Sequence, residues 1–537
     1  MPEFTEDVDV VIVGSGPTGT TYARVVTDAR PRARILLVEA GPVAAEPPGL
    51  HMSNIIDPVE RERAQIACQG PNQYRYQLPA MSGIAHNAAS EDRARALVTR
   101  PGLFAVGRGD IGGDRFPAAQ ESSNVGGMGS HWFGACPRPS EQERITFVDP
   151  EALEDAYVTA ERLLGVSSTQ FLASSFAAHV ERVLGDALND GRAPDRRVQA
   201  MPLAVTLTPY GVHRAGPNVI LGGLLDAASP AASPGFELRP ETLCERVIMA
   251  GGRAAGVWLR ERASGAVTAV RAGHVVVAAD SLRTPQLLFA SGVRPRALGH
   301  YLNEHPQVSI MAEVDGLGSD PVHHGEVGNA TAMSDSTAVT VAASGVTWIP
   351  YEGERFPFHG MLSQIDPDTV SRSARDRRER KPLISVHFFA PQELRFDNRL
   401  EFSETETDWI GMPAMTIHHA LSKRDRAVLE YGKAEALRLS NVLGRPADGE
   451  APWILPSGSS LHYQGTVRMG TADDGTSVCD PSGRVWGTEN LYVAGNGVIP
   501  TQTACNPTLT SVALSVIGAR DIVSRLTAST GPLAVRS

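Results

Sequence analysis

The sequence predicts an α/β protein in two parts: a nucleotide-cradling unit built from both ends of the chain, and a sheet-based unit between them. Three observations carry this. The start reads VDVVIVGSGPTGTTYARVV, with VEAG at residues 38–41. Residues 301 to about 415 carry alternating stretches, QVSIMAEV, AVTVAASGVTWI and PLISVHFF, which is the period of antiparallel strands with one buried face. The end returns to a short apolar strand and a long apolar helix in NLYVAGNGVIPTQTACNPTLTSVALSVIGARDIV.

Each element follows in order. Residues 8–13 form a hydrophobic strand, interrupted only by Asp9. Gly14, Gly16 and Gly19 follow at once, a helical pattern resumes over 20–27, and a second strand at 35–38 ends in Glu39. Residues 47–118 are irregular and polar, with RERAQIAC and EDRARALV as helical candidates. Residues 121–138 are dense in glycine around one histidine and one tryptophan. Residues 142–184 read as largely helical, and 203–220 as an extended segment with a turn. Strands are expected at 242–249, 255–259 and 273–279, the last leading into the helix SLRTPQLLFASG, stopped by Gly292. A helix is expected again over 422–443. The domain reading is 1–145 as the first part of the nucleotide-binding domain and 146–235 as a mixed linking region. Residues 236–300 are its second part, 301–445 the substrate domain, and 446–537 the C-terminal part with active-site residues.

At 537 residues the chain exceeds one ordinary core. A net charge of −11 disfavours a general nucleic-acid binder and fits an enzyme with a small or neutral substrate. No apolar run approaches the roughly 20 residues that cross a bilayer. The acidic start MPEFTEDVDV has no apolar signal region, so a cytoplasmic location is expected. The cysteines Cys68, Cys136, Cys244, Cys479 and Cys505 are scattered without a CxxC, which fits a reducing compartment and no metal site. His387 is a further histidine to weigh, while the adjacent His418 and His419 would point to opposite faces of a strand and are read as structural.

The segment GSGPTG has the form of a dinucleotide cradle in its required strand–turn–helix setting. Gly14 permits the tight turn, Gly16 lets backbone approach a pyrophosphate, and Gly19 lets the helix pack on the strand. The diphosphate is expected on the free N–H groups of the helix N-terminus. Glu39, at the end of the second strand, suits a ribose hydroxyl and disfavours a 2′-phosphate; these residues leave FAD against NAD open. Near the far end, LHYQGTVRMG holds His462 and TACNPTLT holds Asn506. Histidine suits a proton acceptor because it titrates near neutrality. Asparagine cannot be a base, but its amide can hold an oxygen that becomes alkoxide-like. Asn506 is also a natural N-cap for the helix starting near Thr508.

Taken together, these segments resemble the glucose–methanol–choline (GMC) oxidoreductases. The internal signature VAADSLRTPQLLFASG and the terminal segment LYVAGNGVIPTQTACNPTLTSVALSVIGA carry the likeness. GGMGSHW and CNPTLT are similar to GGMSTHW and ANPTLT of pyranose oxidases and bacterial sugar and glycoside oxidases. The resemblance runs nearly end to end. It implies a Rossmann-like FAD-binding domain with a second antiparallel-sheet substrate domain. It also implies oxidation of a secondary ring hydroxyl of a pyranose, at C2 or C3, with His462 as base and Asn506 as its partner. Hydride would pass to flavin N5, and oxygen or a quinone would take the electrons.

The alternatives held open are a glycoside 3-oxidase acting on O- or C-glycosides and a GMC enzyme for a non-sugar alcohol. A rival of another class is a flavoprotein kept as a redox-silent binding protein, which an intact His462 and Asn506 weigh against. Cofactor contacts are expected from Gly14, Gly16, Gly19, Glu39, Gly127, His131, Val247, Asn496, Gly497 and Thr508. In pyranose oxidases the histidine matching His131 carries the flavin on its 8α-methyl carbon, while some bacterial relatives lack that bond, so covalent attachment stays open. Two residues later the fungal enzymes have threonine near N5, where this chain has Phe133. Phe133 and Gln364 are the expected substrate contacts, with Phe356 and Phe358 either stacking on a sugar or packed inward. Oligomeric state is left open.

Overall fold

The computed structural model describes residues 2–71, 101–106, 116–209, 211–226, 228–229, 232–317, 345–365 and 382–529. The helical candidate EDRARALV, most of AVTVAASG and the end of the 355–368 segment lie outside them.

Two seven-stranded sheets organise the chain. The first is built from β1 (Glu6–Val13), β2 (Ile35–Val38), β3 (Phe236–Arg239), β4 (Thr242–Ala250), β5 (Arg253–Glu261) and β6 (Val267–Val277) in the order β3-β2-β1-β6-β5-β4. β1, β2, β3 and β6 run parallel, while β5 and β4 continue as antiparallel hairpins. α1 (Pro17–Ala29) crosses over between β1 and β2. Its first turn uses Pro17, whose fixed φ suits the first helical position. β1, β2 and the end of β6 are buried on both faces, as parallel strands covered by helices are.

The second sheet is antiparallel throughout and contains β7 (Gln307–Val314), β8 (Val346–Ile349), β9 (His359–Ile365) and β10 (Leu383–Phe389). Its order is β7-β10-β9-β8, flanked by Gly444–Pro446 beside β7 and Gln199–Ala200 beside β8. The linking region therefore lends a strand to the substrate sheet. Alternation sorts each strand. Val308, Ile310 and Ala312, with Ile384, Val386, Phe388 and Leu362, pack on helices. Those helices are α2 (Ser175–Leu188) and α3 (Lys423–Leu443). α3 starts with a capping box between Ser422 and Asp425. The opposite face of the sheet turns to a cavity.

β11 (Leu491–Val493) then returns to the first sheet, parallel to the end of β6. The final helix α4 (Thr508–Ser529) packs against α1, so the tail of the chain closes on its head. Three expected elements differ in extent. The helical stretch 142–184 is two helices, because Gly165 at φ +65 ends Pro150–Leu164. Residues 205–214 form a two-stranded hairpin. The apolar strand expected at 273–279 starts at Val267 and stops at Val277.

Candidate active site

One cavity of about 740 Å³ lies between the cradle, the 126–134 segment, the second sheet and the two C-terminal loops. At the cradle, Gly14 has φ +99, and a Cβ there would sit 2.4 Å from the Ala278 carbonyl. A Cβ on Gly19 would fall 1.9 Å from the Gly14 carbonyl, so this position serves helix–strand contact and not the cavity wall. Gly16 faces open space, its nearest neighbour being the Gly126 carbonyl 4.0 Å from a built Cβ. Ser15 ties the parts together: its N–H and hydroxyl donate to Glu39 at 3.1 and 2.8 Å, and its Oγ accepts the Gly126 N–H at 2.9 Å. Glu39 also accepts the Gly41 N–H at 3.0 Å. Burial pushes its carboxyl upward against these hydrogen bonds.

Gly127, His131, Phe133, Asn496 and Thr508 line the same cavity. His131 ends a 3₁₀ turn, Gly127–Ser130. Gly102 backs its ring so closely that a Cβ would lie 2.4 Å from Cε1. Burial lowers the imidazole to about 4, and its buried Nε2 has no hydrogen-bond partner among the described residues. An orphaned ring nitrogen in a cavity wall is costly unless something bonds to it. The glycine cradle, Glu39 and this nitrogen fit a flavin dinucleotide.

Three expected contacts are corrected. Val247 does not line the cavity; it lies in the core, and its N–H donates to Ser291 Oγ at 2.8 Å. Thr242, Leu243 and Cys244, at the other end of β4, line it instead. Gln364 is also turned away, because Met361 and Ser363 take the cavity face of β9 and alternation sends Gln364 to the other side. Phe356 and Phe358 are packed inward with Phe388, the second of the two readings held for them. Gly497 is off the wall as well; a Cβ there would lie 2.9 Å from Val467 Cγ2.

The second sheet supplies a wall that the sequence reading left unnamed. Gln307, Ser309 and Met311 of β7 alternate inward, as do Ser385, His387 and Phe389 of β10. His387 is thus part of the cavity wall. His418 and His419 turn to different partners, Glu401 and the Gln392 side chain.

His462 and Asn506 meet at this wall, with Asn506 Nδ2 3.3 Å from His462 Nε2. Each sits on a loop held by a buried glutamate. Glu304 accepts the Gly458 N–H at 2.7 Å and the Ser460 hydroxyl at 2.9 Å, and Ser460 Oγ in turn accepts the His462 N–H at 3.2 Å. Burial pushes Glu304 up to about 7. Leu461, just before the histidine, has φ +59, a conformation uncommon for a residue of this type and a form of strain found at functional sites. On the other loop, Glu143 accepts the Ala504 N–H at 2.6 Å and the Cys505 N–H at 3.3 Å. The His462 ring stacks on Phe389 with centroids 5.5 Å apart. Glu304 carries no local motif, and Glu143 carries only the capping box Ser140–Glu143, which marks a turn; the loops they hold are reached only through the fold.

Residues 222–307 and 395–515 match the GMC oxidoreductase family. The chain is 44% identical, over 98% of both sequences, to a C-glycoside 3-oxidase of Microbacterium trichothecenolyticum. It is 43% identical to a C-glycoside 3-oxidase of Arthrobacter globiformis, over 97% of this chain and 96% of the relative. A pyranose 2-oxidase of Tricholoma matsutake is 29% identical over 98% of this chain and 95% of its own. Among solved structures, an Aspergillus oryzae formate oxidase variant superposes with TM-score 0.63 at 16% identity, over 98% of this chain and all of the other. That likeness speaks for the fold alone. The protein belongs to the GMC oxidoreductase family and is an FAD-dependent oxidoreductase that oxidises a CH–OH group. Among the described residues no helix is long and apolar enough to cross a membrane.

Proposed function

We propose that the enzyme oxidises the C3 hydroxyl of a sugar ring carried in a C- or O-glycoside, giving the 3-keto glycoside. The observation that carries this reading is the wall facing His462 and Asn506. Ser309, Ser363, Ser385 and Gln307 offer hydrogen-bonding groups for a ring's hydroxyls, while Met311, Met361, Phe389 and Phe133 offer an apolar surface. Such a mixed wall fits a polar ring with apolar faces and an aromatic aglycone. The two relatives above 40% identity, both named C-glycoside 3-oxidases, support the same choice over a free pyranose at C2.

Bound FAD supplies the hydride acceptor. The chain's own residues do the rest. His462 Nε2 takes the hydroxyl proton, Asn506 Nδ2 donates to the same oxygen as negative charge builds, and the wall holds the ring so that one C–H is presented. Thr508, Asn496 and Gly127 border the cofactor side, and Glu39 is placed for a ribose hydroxyl. His131 Nε2 is the candidate point of covalent attachment. Oxygen is the acceptor favoured by the naming of these relatives as oxidases, with a quinone as the second choice.

The test is to incubate the holoenzyme with an aryl C-glucoside, the matching O-glucoside and free glucose, and to locate the new carbonyl by NMR. A 3-keto glycoside is expected. Exclusive turnover of free glucose to the 2-keto sugar would overturn the reading. Acid precipitation, followed by a visible spectrum of pellet and supernatant, decides whether His131 holds the flavin.

A further inference from the structure

Behind Asn506 lies a run of side-chain hydrogen bonds whose direction is set from one end. The indole Nε1–H of Trp348, on β8, donates to His359 Nδ1 at 2.9 Å. An indole nitrogen only donates, so Nδ1 of His359 carries the lone pair. His359 is fully buried, and burial lowers its imidazole to about 3, with Arg196 adding to the shift. The ring is therefore neutral, and its one proton is on Nε2. That nitrogen lies 2.9 Å from Asn506 Oδ1, so the amide oxygen accepts and the amide NH₂ faces His462.

We propose that Trp348, acting through His359 and Asn506, fixes the tautomer of His462 with the Nε2 lone pair exposed to substrate. Trp348 and His359 are then positioning residues for proton abstraction. The proposal rests on the reading of His462 as the base. A ring nitrogen that faces an NH₂ group is stable only as an acceptor, so His462 carries its proton on Nδ1. There it meets His305 Nδ1 at 3.0 Å. His305 is fully buried, and burial holds it well below the usual histidine range, so it is neutral and free to accept. Its own proton then sits on Nε2, beside Thr503 Oγ1 at 3.1 Å and the Gln464 amide at 2.7 Å.

The reverse direction is conceivable from that far end. A Gln464 NH₂ donating to His305 Nε2 would push the proton onto His462 Nε2, against the NH₂ of Asn506. The two ends are not equal. An amide exchanges its oxygen and nitrogen by a half-turn, whereas the indole of Trp348 has no acceptor to offer. The Gln464 amide yields and presents its oxygen to His305 Nε2, and Thr503, 3.2 Å from that amide oxygen position, pairs with the nitrogen that replaces it. A hydroxyl entering between Asn506 and His462 then meets one donor and one acceptor, as an alcohol losing its proton requires.

The direct test is ¹⁵N NMR of histidine-labelled holoenzyme at pH 8, with the His462 signals assigned by their loss in His462→Gln. The expected wild-type pattern has Nδ1 protonated and Nε2 as lone pair. Trp348→Phe keeps an aromatic ring in the cluster with Val346, Met361 and Phe389 but removes the donor. It is expected to give a mixture of tautomers. The anaerobic flavin-reduction rate should fall about tenfold, as loss of one net hydrogen bond permits, with less than about a twofold change in glycoside affinity, since the groups lining the cavity remain in place. A purely structural role would lower affinity and FAD content as well. A wild-type His462 protonated on Nε2, or an unchanged tautomer in Trp348→Phe, overturns the relay and leaves His462 as base. Undiminished flavin reduction in His462→Ala instead overturns the base reading, and the relay's purpose with it.

Discussion

The cradle and the His462–Asn506 pair face one cavity and are held by opposite means. The cradle is backbone: Gly14 and Gly19 leave room where a single Cβ would strike a carbonyl, and Gly16 faces open space. The pair is side chain: His462 and Asn506 are aimed by Glu304, Glu143, His305, His359 and Trp348, which come from four separate segments. A backbone site tolerates little change in residue size but needs few partners. A side-chain site tolerates substitution in its neighbours yet loses its chemistry when one hydrogen bond is reversed.

The contrast can be broken hardest at His462. His462→Ala should lower anaerobic flavin reduction by about 10²- to 10⁴-fold while FAD stays bound, the usual weight of a general base; stopped-flow bleaching of the flavin reads it. Gly19→Ala should do the reverse and strike the cofactor. Its methyl has no space beside the Gly14 carbonyl, so FAD content, read from the ratio of visible to ultraviolet absorbance, should drop at least about tenfold. Variants of either site that lost both FAD and chemistry equally would erase the distinction.

The Glu304 clamp sharpens the comparison through pH. In the folded protein its proton is held up to about pH 7, against an ordinary value of 4.5. The unfolded chain releases that proton first, so the stability is fully present below the ordinary value and is lost as pH rises through 7. The difference is worth on the order of 3 kcal/mol for this one group. Glu304→Gln should flatten part of the decline in urea midpoint between pH 5 and 8, and at pH 5, where the neutral acid and the amide each offer one acceptor and one donor, it should cost less than about 1 kcal/mol. An unaltered pH slope would remove Glu304 from this role.

The smallest effect is expected at Phe133, which lines the cavity beside Met361 and Phe389. Phe133→Thr should change the ratio of kcat/KM for an aryl glycoside to that for free glucose by about threefold in favour of glucose, through lost apolar contact with the aglycone. No change in that ratio would place the aglycone elsewhere.

The legible parts were those in which neighbours in sequence are neighbours in space. The β1 strand, its glycines, α1 and Glu39 form one continuous unit, and each glycine has a local reason. The helix expected over 422–443 likewise begins at Ser422, whereas the stretch expected as helical over 142–184 runs through Gly165, whose left-handed stop the structure reveals. Gln364 shows where this fails. Alternation along His359–Ile365 divides the strand into two faces, but only the packing of Leu362 on the helices decides which face meets the cavity. Val247 fails similarly: it sits in the expected strand, yet the cavity opens at the Thr242–Cys244 end, and Ser291 takes its N–H.

The sequence by itself determined a dinucleotide cradle at the head of the chain, a histidine and an asparagine near its tail, and an alternating sheet between, because these depend on steric freedom and periodicity within short stretches. Tertiary structure decided which strand face lines the cavity, which buried acids brace the two loops, and which partners meet the two ring nitrogens of His462. Those depend on hydrogen-bond partners up to 362 residues apart, and the polarity of a buried network is settled only when its obligate donor is in place.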